Sequence, residues 1–400
     1  MKISVIGDTH FGASYSLGKT DLNTQLNSRL IDFSNTFNNI IDNFIKRGVK
    51  LIVLTGDIFE TRSPTSAQLN AFSKCIRRAT DFGLSIVIVV GNHDQQRVIS
   101  TTTVDIFNHL KLDKVIVFPE MGVHSIKDDD GSTFHLILMP YRDRRMLNAT
   151  TNNDAINILK NRLNEFSSTL IGTKIVVGHF MLERTDEQEN PDSFSINELV
   201  LPWNMFNVVD AVVMGHVHKH SVVLEKNPVI IYSGSMERVS FGEREHNKKT
   251  VVLDTQNITN YELIPTSVKN LIEINFDYSN VEPFKNKIND KIFNDIEDFC
   301  KTIDITNSIL RIILKLKDLD MYYLNQQKIR DQIMSKNVEN LTQIQVSSTS
   351  SRQLRNSEIN EGSDVKIAMN TFIKTLSEPE NTKIKLCKYA EEIIDEIEGK

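Results

Sequence analysis

The sequence predicts a layered α/β fold for its first 265 residues, and three observations carry this prediction. Short runs of β-branched residues alternate with longer segments in which apolar residues recur every three to four positions. Several runs end in a glycine followed at once by a polar residue, as strands do where they lead into a ligand-binding loop. The composition, 400 residues with 40% hydrophobic and 24% charged, suits a buried core. Collagen-like, mucin-like and disordered classes are therefore excluded.

The elements of this first domain, residues 1–265, follow from these patterns in chain order. Helices are predicted within residues 33–45 and 69–79, where phenylalanine, isoleucine and leucine recur at helical spacing. The predicted strands are residues 3–6, 51–54, 86–90, 175–177, 211–214, 229–232 and 250–253.

A second, small α/β domain is predicted over residues 268–343. Its pattern indicates a strand at 271–276, a helix that begins beside Pro283, a strand at 309–316 and a second helix from 319 to 334. The next stretch, 344–363, is rich in serine, asparagine and charges and is interpreted as a flexible linker.

A pair of short amphipathic helices is predicted over residues 364–398. Two such helices are too small to form a core of their own, so their apolar stripes are expected to dock on another surface. That surface is either a partner protein or this chain's own globular domain.

Charge and cysteine content restrict the partners and the compartment. The net charge of −6 means that a nucleic acid would have to be met by a local basic surface. The three cysteines are far apart in sequence and lack CxxC spacing, which argues against a disulfide framework or a thiolate zinc site. No signal peptide or membrane span is evident, so a cytoplasmic protein without membrane contact is expected.

Five predicted strands end in a glycine and a residue able to bind metal. The carboxyl ends of strands converge on the ligand crevice of an α/β sheet, so these side chains should meet there. Two histidines lie two positions further on, His10 and His218, and in an extended segment they face the same way as the residue two before them. The pairs are Gly7-Asp8, Gly56-Asp57, Gly91-Asn92, Gly178-His179 and Gly215-His216.

The donors are two carboxylates, one amide and four imidazoles, which suits manganese, iron or zinc better than calcium. Seven ligands exceed the needs of one cation but suit two cations about 3.5 to 4 Å apart that share a carboxylate. Asp57, alone at its strand end, is the candidate bridge. Such a site attracts a phosphodiester and lowers the pKa of water, so it supports in-line attack of water on phosphorus.

His93 and Asp94 follow the proposed ligand Asn92 but are not needed to complete either coordination shell. Asp94 is expected to hold the His93 ring in one tautomer and to keep it protonated. A protonated imidazole there could stabilise phosphorane oxygens or protonate the leaving group. We therefore assign this pair to catalysis.

These motifs resemble those of calcineurin-like metallophosphoesterases. Two longer segments, 55–64 and 232–245, and the aspartate of the third motif resemble the SbcD-type DNA repair nucleases, the branch that includes the meiotic-recombination nucleases. The five motifs are GDTH at 7–10, GDIFE at 56–60, GNHD at 91–94, GH at 178–179 and GHVH at 215–218.

The resemblance implies a metallophosphoesterase β-sandwich flanked by helices and a specific division of the ligands. His93, assisted by Asp94, would act on the scissile phosphate, and the family prefers two Mn²⁺, with Mg²⁺, Fe²⁺ or Zn²⁺ as substitutes. Archaeal relatives carry a histidine at the position of Glu60, so that residue's exonuclease role is not transferred. Metal one would be bound by Asp8, His10, Asp57 and His218, and metal two by Asp57, Asn92, His179 and His216.

The resemblance also implies the reaction and the partners. Members degrade double-stranded DNA ends as exonucleases, cut single-stranded DNA as endonucleases and form homodimers. They work with a coiled-coil ATPase of the SbcC type. By this resemblance, residues 268–343 would be a DNA-capping domain and residues 364–398 the ATPase-binding segment. A bacterial cytoplasm or that of a phage-infected host would suit such a protein.

Several arginines near the motifs are candidates for phosphate contact, because their planar guanidinium groups match phosphate geometry. Ion pairs with Asp143, Glu243 or Glu245 would explain them equally well. Tyr322 and Tyr323, with Phe276, are interpreted as core residues rather than as stacking platforms for bases. The candidate arginines are Arg62, Arg97, Arg142, Arg144, Arg145 and Arg238.

Two other functions compete with a nuclease. A small-molecule phosphodiesterase or phosphatase of the same superfamily would share every ligand, although the phosphatase pattern GDxxDRG is replaced here by GDIFETR. A non-catalytic DNA-tethering scaffold would keep a metal site for structure only. The complete ligand set together with His93 argues against the scaffold.

Overall fold

The computed structural model describes residues 1–95, 101–183, 198–348, 365–374 and 380–398. They fall into two compact units. The first unit comprises Met1–Ile274, Cys300–Ile312 and Arg330–Gln343, and the second comprises Asn275–Phe299, Ile313–Ile329 and Ile344–Lys400. In the described parts of the chain, no helix is both long and apolar enough to cross a membrane.

The strands are, in chain order, β1 (Lys2–Ile6), β2 (Leu51–Leu54), β3 (Ser85–Val89), β4 (Val115–Phe118), β5 (Gly122–Lys127), β6 (Thr133–Met139), β7 (Lys174–His179), β8 (Met181–Leu182), β9 (Val200–Leu201), β10 (Ala211–Gly215), β11 (Ser221–Glu225), β12 (Val229–Tyr232), β13 (Lys249–Asp254), β14 (Asn257–Pro265), β15 (Leu271–Asp277), β16 (Ile309–Leu316) and β17 (Asn340–Ser348). The helices are α1 (Ser28–Lys46), α2 (Ser66–Asp81), α3 (Ile106–His109), α4 (Asn152–Thr169), α5 (Ile288–Thr302), α6 (Asp318–Tyr323), α7 (Gln326–Met334), α8 (Val365–Lys374) and α9 (Glu380–Glu398).

Two six-stranded sheets form a sandwich in the first unit. Their orders are β14-β13-β1-β2-β3-β4 and β11-β12-β10-β7-β6-β5. Apolar side chains of both sheets, among them Val5 and Val53 from one and Leu138 and Val177 from the other, form one buried cluster. This is the layered α/β fold that the sequence predicts, and each of the seven predicted strands is present.

Helices cover the outer faces of both sheets. α1 and α2 are amphipathic and bury Phe33, Phe37 and Phe72 against the first sheet. α4 buries Leu159 and Leu163 on the second sheet. The central strands β1, β2 and β3 run parallel to one another, as do β6, β7, β10 and β12, so within each group the carboxyl ends lie at one edge.

The remaining described elements are the two-stranded sheet β8-β9, the three-stranded sheet β15-β16-β17, helix α3 and helices α5 to α9. The predicted helix 319–334 is in fact two helices, because Leu324 is extended and the Asn325 side chain accepts a hydrogen bond from the Lys328 amide at the start of α7. The predicted linker also begins too early, since residues 344–348 belong to β17, where Ile344 is buried. Residues 349–363 of that linker lie outside the described residues.

The prediction that both tyrosines of α6 are core residues is wrong. Tyr322 is 83% exposed and Tyr323 40%, and their rings contact each other edge to face. The reason is that α6 is only six residues long and buries Asp320 instead, which accepts a hydrogen bond from the Lys285 amide. Phe276 is half-buried beside Tyr278.

Candidate metal centre and active site

The structure brings all seven predicted metal ligands together at the carboxyl ends of the parallel strands. A chain of contacts links them, each pair joined at 3.7 Å or less, from one end of the site to the other. The residues are, in the order of these contacts, His218, His10, Asp57, His179, Asn92, His216 and Asp8.

The backbone at these strand ends is strained. Asp8, His10, Asp57 and His216 all have positive φ, between 27° and 86°, a region that costs non-glycine residues about 1–3 kcal/mol each. Such strain persists only where the surrounding structure enforces it. Four of the twelve non-glycine residues with positive φ in the described parts of the chain belong to the predicted ligands, which supports the prediction of a functional site at this edge.

Two glycines before the ligands are required by close backbone approach. A Cβ at Gly91 would lie 2.2 Å from Asp57 Oδ1 and 2.3 Å from the Asp57 amide nitrogen. A Cβ at Gly215 would lie 2.7 Å from the Thr55 carbonyl oxygen and 2.8 Å from Asp8 Oδ1. The glycines of the sequence motifs therefore let the strands approach each other closely enough for the side chains to converge.

Asp57 lies at the centre of the site. Its Oδ2 is 3.4 Å from His179 Nε2 and 3.7 Å from His10 Nε2, and its Oδ1 accepts a hydrogen bond of 2.8 Å from the His93 amide. Burial alone would raise the pKa of Asp57, but the charges of the neighbouring histidines, above all His179, lower it well below its usual range. The carboxylate is thus shared between two groups of donors.

The first group of donors contains Asp8, His10 and Asp57, whose ligand atoms lie within 4.8 Å of one another. His218 joins them, since its Nε2 is 3.0 Å from His10 Nε2. Two imidazole nitrogens that bind one cation at ~2.1 Å each stand roughly 3 Å apart. The spacing observed here therefore fits a metal ion.

The second group contains Asp57, His179 and His216, again within 4.8 Å. Asn92 Oδ1 lies 2.8 Å from His179 Nε2 and 3.2 Å from His216 Nδ1. His179 Nδ1 donates to the Thr55 carbonyl oxygen at 2.7 Å, which leaves Nε2 free to bind a metal. Burial alone would lower the pKa of His179, but Asp57 raises it to about 9.

The His93 ring lies beside His10, with ring centroids 5.1 Å apart, but Asp94 does not contact the His93 ring as predicted. The Asp94 carboxylate instead accepts hydrogen bonds from the backbone amides of Ile58, Phe59 and Gly91. Asp94 is 1% exposed, so its side chain is turned into the protein. Burial, followed by the charge of Asp57, raises the pKa of Asp94 to about 6.

The backbone carbonyl of Glu60 holds the His93 ring instead, because His93 Nδ1 lies 2.6 Å from that oxygen. The Glu60 carboxylate lies 2.9 Å from His10 Nδ1. Sequence reasoning left Glu60 without a role. The structure places it beside His10 and His93.

Three further residues at the site were not predicted. Glu243 accepts a hydrogen bond of 2.8 Å from His218 Nδ1, and Glu198 pairs with His216 Nε2. Tyr141 packs against His179 and His216, with ring centroids 6.3 and 6.2 Å away. No spacing in the sequence indicates these contacts, because the partners are 18 to 75 residues apart.

The Glu243 carboxylate and the His218 ring shift each other's pKa. Burial alone would raise the pKa of Glu243, but the hydrogen bond and charge of His218, together with Lys248, lower it to about 2. Burial alone would lower the pKa of His218, whereas Glu243 raises it.

Two of the predicted DNA-binding arginines are engaged within the protein. Arg142 donates to the carbonyl oxygens of Tyr141 and Pro119, and Arg238 donates to that of Lys269. Both guanidinium groups thus bind the protein's own backbone, and their contact with DNA stays a prediction.

The other predicted arginines differ in exposure. Arg62 and Arg145 are exposed and Arg144 is partly exposed, whereas Arg97 lies outside the described residues. Arg62 lies close enough to Tyr141 to influence its hydroxyl electrostatically. Arg62 thus has an electrostatic link to a residue of the site.

Comparison with known proteins identifies a protein family that matches this chain. A sequence model of calcineurin-like phosphoesterases matches residues 1–220. The chain is 24% identical over 254 residues to the SbcD component of the SbcCD nuclease of Staphylococcus epidermidis, a match that covers 60% of this chain and 66% of that protein. It is 34% identical over 98 residues to the DNA double-strand break repair protein Mre11 of Sulfolobus acidocaldarius, covering 24% of this chain and 23% of that one.

The matched regions thus span less than two thirds of the length of these relatives. Among solved structures, a dimetal phosphatase from Danio rerio is 10% identical, with a TM-score of 0.40, over 67% of this chain and 99% of that one.

Proposed function

Because the chain belongs to the calcineurin-like phosphoesterase family, we propose that it is a metal-dependent hydrolase of DNA phosphodiester bonds. It would act as the nuclease subunit of an SbcC–SbcD-like complex in DNA end processing, repair and recombination. The sequence similarity to the SbcD component of SbcCD and to Mre11 supports this substrate over a small phosphodiester.

One observation carries the proposal: two groups of nitrogen and oxygen donors share the Asp57 carboxylate, and His93 lies beside them. A shared carboxylate is the arrangement that two neighbouring cations need. The mixture of histidine, aspartate and asparagine suits Mn²⁺, with Mg²⁺, Fe²⁺ or Zn²⁺ as substitutes. Bound there, two cations would lower the pKa of water and polarise the phosphate oxygens.

The chain's own residues would orient the substrate and move a proton. Donation from Nδ1 to the Glu60 carbonyl oxygen fixes the His93 ring, so Nε2 is available to a phosphate oxygen. When the ring is protonated, Nε2–H can stabilise charge on that oxygen or protonate the departing sugar oxygen. Asp94 would act on this step only by fixing the backbone around Asp57.

We extend the proposal to the rest of the chain by the same resemblance. Residues 1–265 would be the nuclease domain, 268–343 a DNA-capping domain and 364–398, which include helices α8 and α9, the segment that binds a coiled-coil ATPase. Arg62, Arg144 and Arg145 would contact the DNA backbone. The protein would form a homodimer and act in a reducing cytoplasm, which suits its three free cysteines.

The test uses the purified full chain with Mn²⁺, a labelled linear duplex, a labelled single strand and a nitrophenyl phosphodiester, each with and without the candidate ATPase. Shortening of the duplex and cutting of the single strand are the expected results. Hydrolysis of the small diester with intact DNA under every condition would instead make the protein a small-molecule phosphodiesterase. DNA binding that resists EDTA, with no hydrolysis of any substrate, would make it a scaffold.

A further inference from the structure

A buried lysine lies next to the metal centre. The Lys248 side chain is fully buried, and its ammonium group donates three hydrogen bonds. The acceptors are the His218 carbonyl oxygen at 2.9 Å, Ser235 Oγ at 2.6 Å and Glu243 Oε2 at 2.6 Å. Since a buried ammonium is unfavourable unless all its protons are used, this arrangement fixes the lysine in one position.

Glu243 connects that lysine to the His218 ring. One carboxylate oxygen, Oε2, accepts from Lys248 and from the Val239 amide at 3.2 Å. The other, Oε1, accepts from His218 Nδ1 at 2.8 Å. The Val239 amide and the buried Lys248 ammonium therefore fix the orientation of the Glu243 carboxylate that contacts His218.

The two contacts to His218 determine how that residue faces the site. A carboxylate that accepts from Nδ1–H selects the tautomer in which the Nε2 lone pair is free. That Nε2 points at His10 Nε2, 3.0 Å away, where the first group of donors converges. Lys248 donates to the His218 carbonyl oxygen, so Glu243 fixes the ring of His218 and Lys248 fixes its main chain.

We propose that Glu243 and Lys248 are positioning residues of the metal centre, which preset His218 to bind the first of the two cations. A buried ion pair that served stability alone would not need a site histidine as its third partner. The inference deepens the proposed two-metal function and rests on it.

The variants are Glu243→Ala, Glu243→Gln and Lys248→Met. Glutamine keeps an oxygen that can accept from His218 Nδ1, so it should rescue part of the effect of alanine. The control is Glu237→Gln, a fully buried acid six residues earlier that accepts from the Arg238 and Lys269 amides and, in the described part of the chain, contacts no site histidine. All are made in the full chain and stripped of metal with EDTA.

Mn²⁺ binding is then measured by calorimetry and electron paramagnetic resonance, at a temperature where circular dichroism shows each variant folded. The wild type should bind two ions that give the spectrum of a coupled pair. Glu243→Ala should lose roughly 10–100-fold in affinity at one site, and the coupled spectrum should change to that of isolated Mn²⁺. Glu243→Gln and Lys248→Met should lie between alanine and wild type, and Glu237→Gln should match wild type.

Wild-type affinity and a coupled spectrum in folded Glu243→Ala would overturn the inference and leave the proposed function intact. An equal loss in Glu237→Gln would overturn it as well, because the effect would then be general. Failure of the wild type to bind a second ion would instead refute the two-metal function itself.

Discussion

His93 combines a fixed backbone with one free ring nitrogen. Its amide donates to Asp57 Oδ1, and its Nδ1 lies 2.6 Å from the Glu60 carbonyl oxygen. Nε2 has no hydrogen-bond partner among the residues that the structure describes. A substitution of the side chain removes the ring nitrogen while the amide contact to Asp57 stays.

We therefore expect His93→Gln to slow cleavage of DNA by roughly 10²–10⁴-fold, the usual contribution of general acid–base catalysis. Mn²⁺ stoichiometry should stay at the wild-type value, because His93 is not one of the seven predicted ligands. Cleavage is measured with a labelled duplex and metal content by calorimetry. The control is His109→Gln, an exposed histidine of α3, which should cleave normally. Wild-type cleavage by His93→Gln would contradict the role given to this ring.

Gly215 tests whether close strand approach builds the site. Its missing Cβ leaves room for Thr55 and for Asp8 Oδ1. Gly215→Ala should cost about 1–3 kcal/mol of unfolding free energy, as overpacking does, and should weaken Mn²⁺ binding. Gly122→Ala is the matched control, because its Cβ would meet only Phe118 at 3.4 Å. Urea unfolding measures the free energy of unfolding and calorimetry measures Mn²⁺ affinity. Equal losses in Gly215→Ala and Gly122→Ala would contradict a specific role of Gly215 in building the site.

At the scale of elements, α2 is held to the sandwich by an aromatic cluster centred on Phe72. That ring contacts Phe11, Phe37, Phe59 and Phe107 edge to face, at centroid distances of 5.2 to 6.2 Å. Phe11 directly follows His10, and Phe59 lies two residues after Asp57. The cluster therefore packs against the two loops that carry His10 and Asp57 and supports them.

Phe72→Ala should cost about 3–5 kcal/mol of unfolding free energy and should also weaken Mn²⁺ binding, because the loops above it lose their support. Phe82→Ala is the comparison, since that phenylalanine at the end of α2 is 58% exposed. It should stay within about 0.5 kcal/mol of wild type. Thermal and urea unfolding measure stability, and calorimetry measures Mn²⁺. Unchanged Mn²⁺ affinity in folded Phe72→Ala would show that the aromatic cluster is not needed for metal binding.

Some strands of the sandwich could be predicted from sequence, and others could not. Strands β1, β2, β3, β7 and β10 are apolar runs with a glycine and a polar residue at or just beyond their carboxyl ends, so both their type and their convergence follow from local pattern. β5 is not apparent, because its residues are only half-buried and include His124 and Ser125.

The partners of the ligands are harder to predict than the ligands themselves. Glu243 lies 25 residues from His218, and only the folded sheet brings the two together. The predicted Asp94–His93 contact fails because sequence neighbours need not face the same way, whereas Asp94 can reach three backbone amides. Motif spacing predicts which side chains converge, and their hydrogen-bond partners depend on the fold.

At the scale of the whole molecule, the second unit ends in two helices that pack against each other, α8 and α9. Ile373 and Ile394 are buried, yet Ile384 and Tyr389 of α9 are each 63% exposed. Exposed apolar side chains of this size on a helix pair suit contact with a partner helix. The proposed partner is a coiled-coil ATPase of the SbcC type.

We expect the double variant Ile384→Asp, Tyr389→Asp to lose stable binding to that ATPase and the stimulation of cleavage that comes with it. Two buried anions in the interface would be strongly unfavourable. DNA cleavage by the free protein should be unchanged, because both residues belong to the second unit and every ligand belongs to the first. Ile171→Asp, at a residue 91% exposed in the first unit, should bind the ATPase normally. Binding is measured by co-elution on a sizing column, and stimulation by cleavage assays with and without the ATPase. Full stimulation of the double variant would show that α9 is not the docking surface.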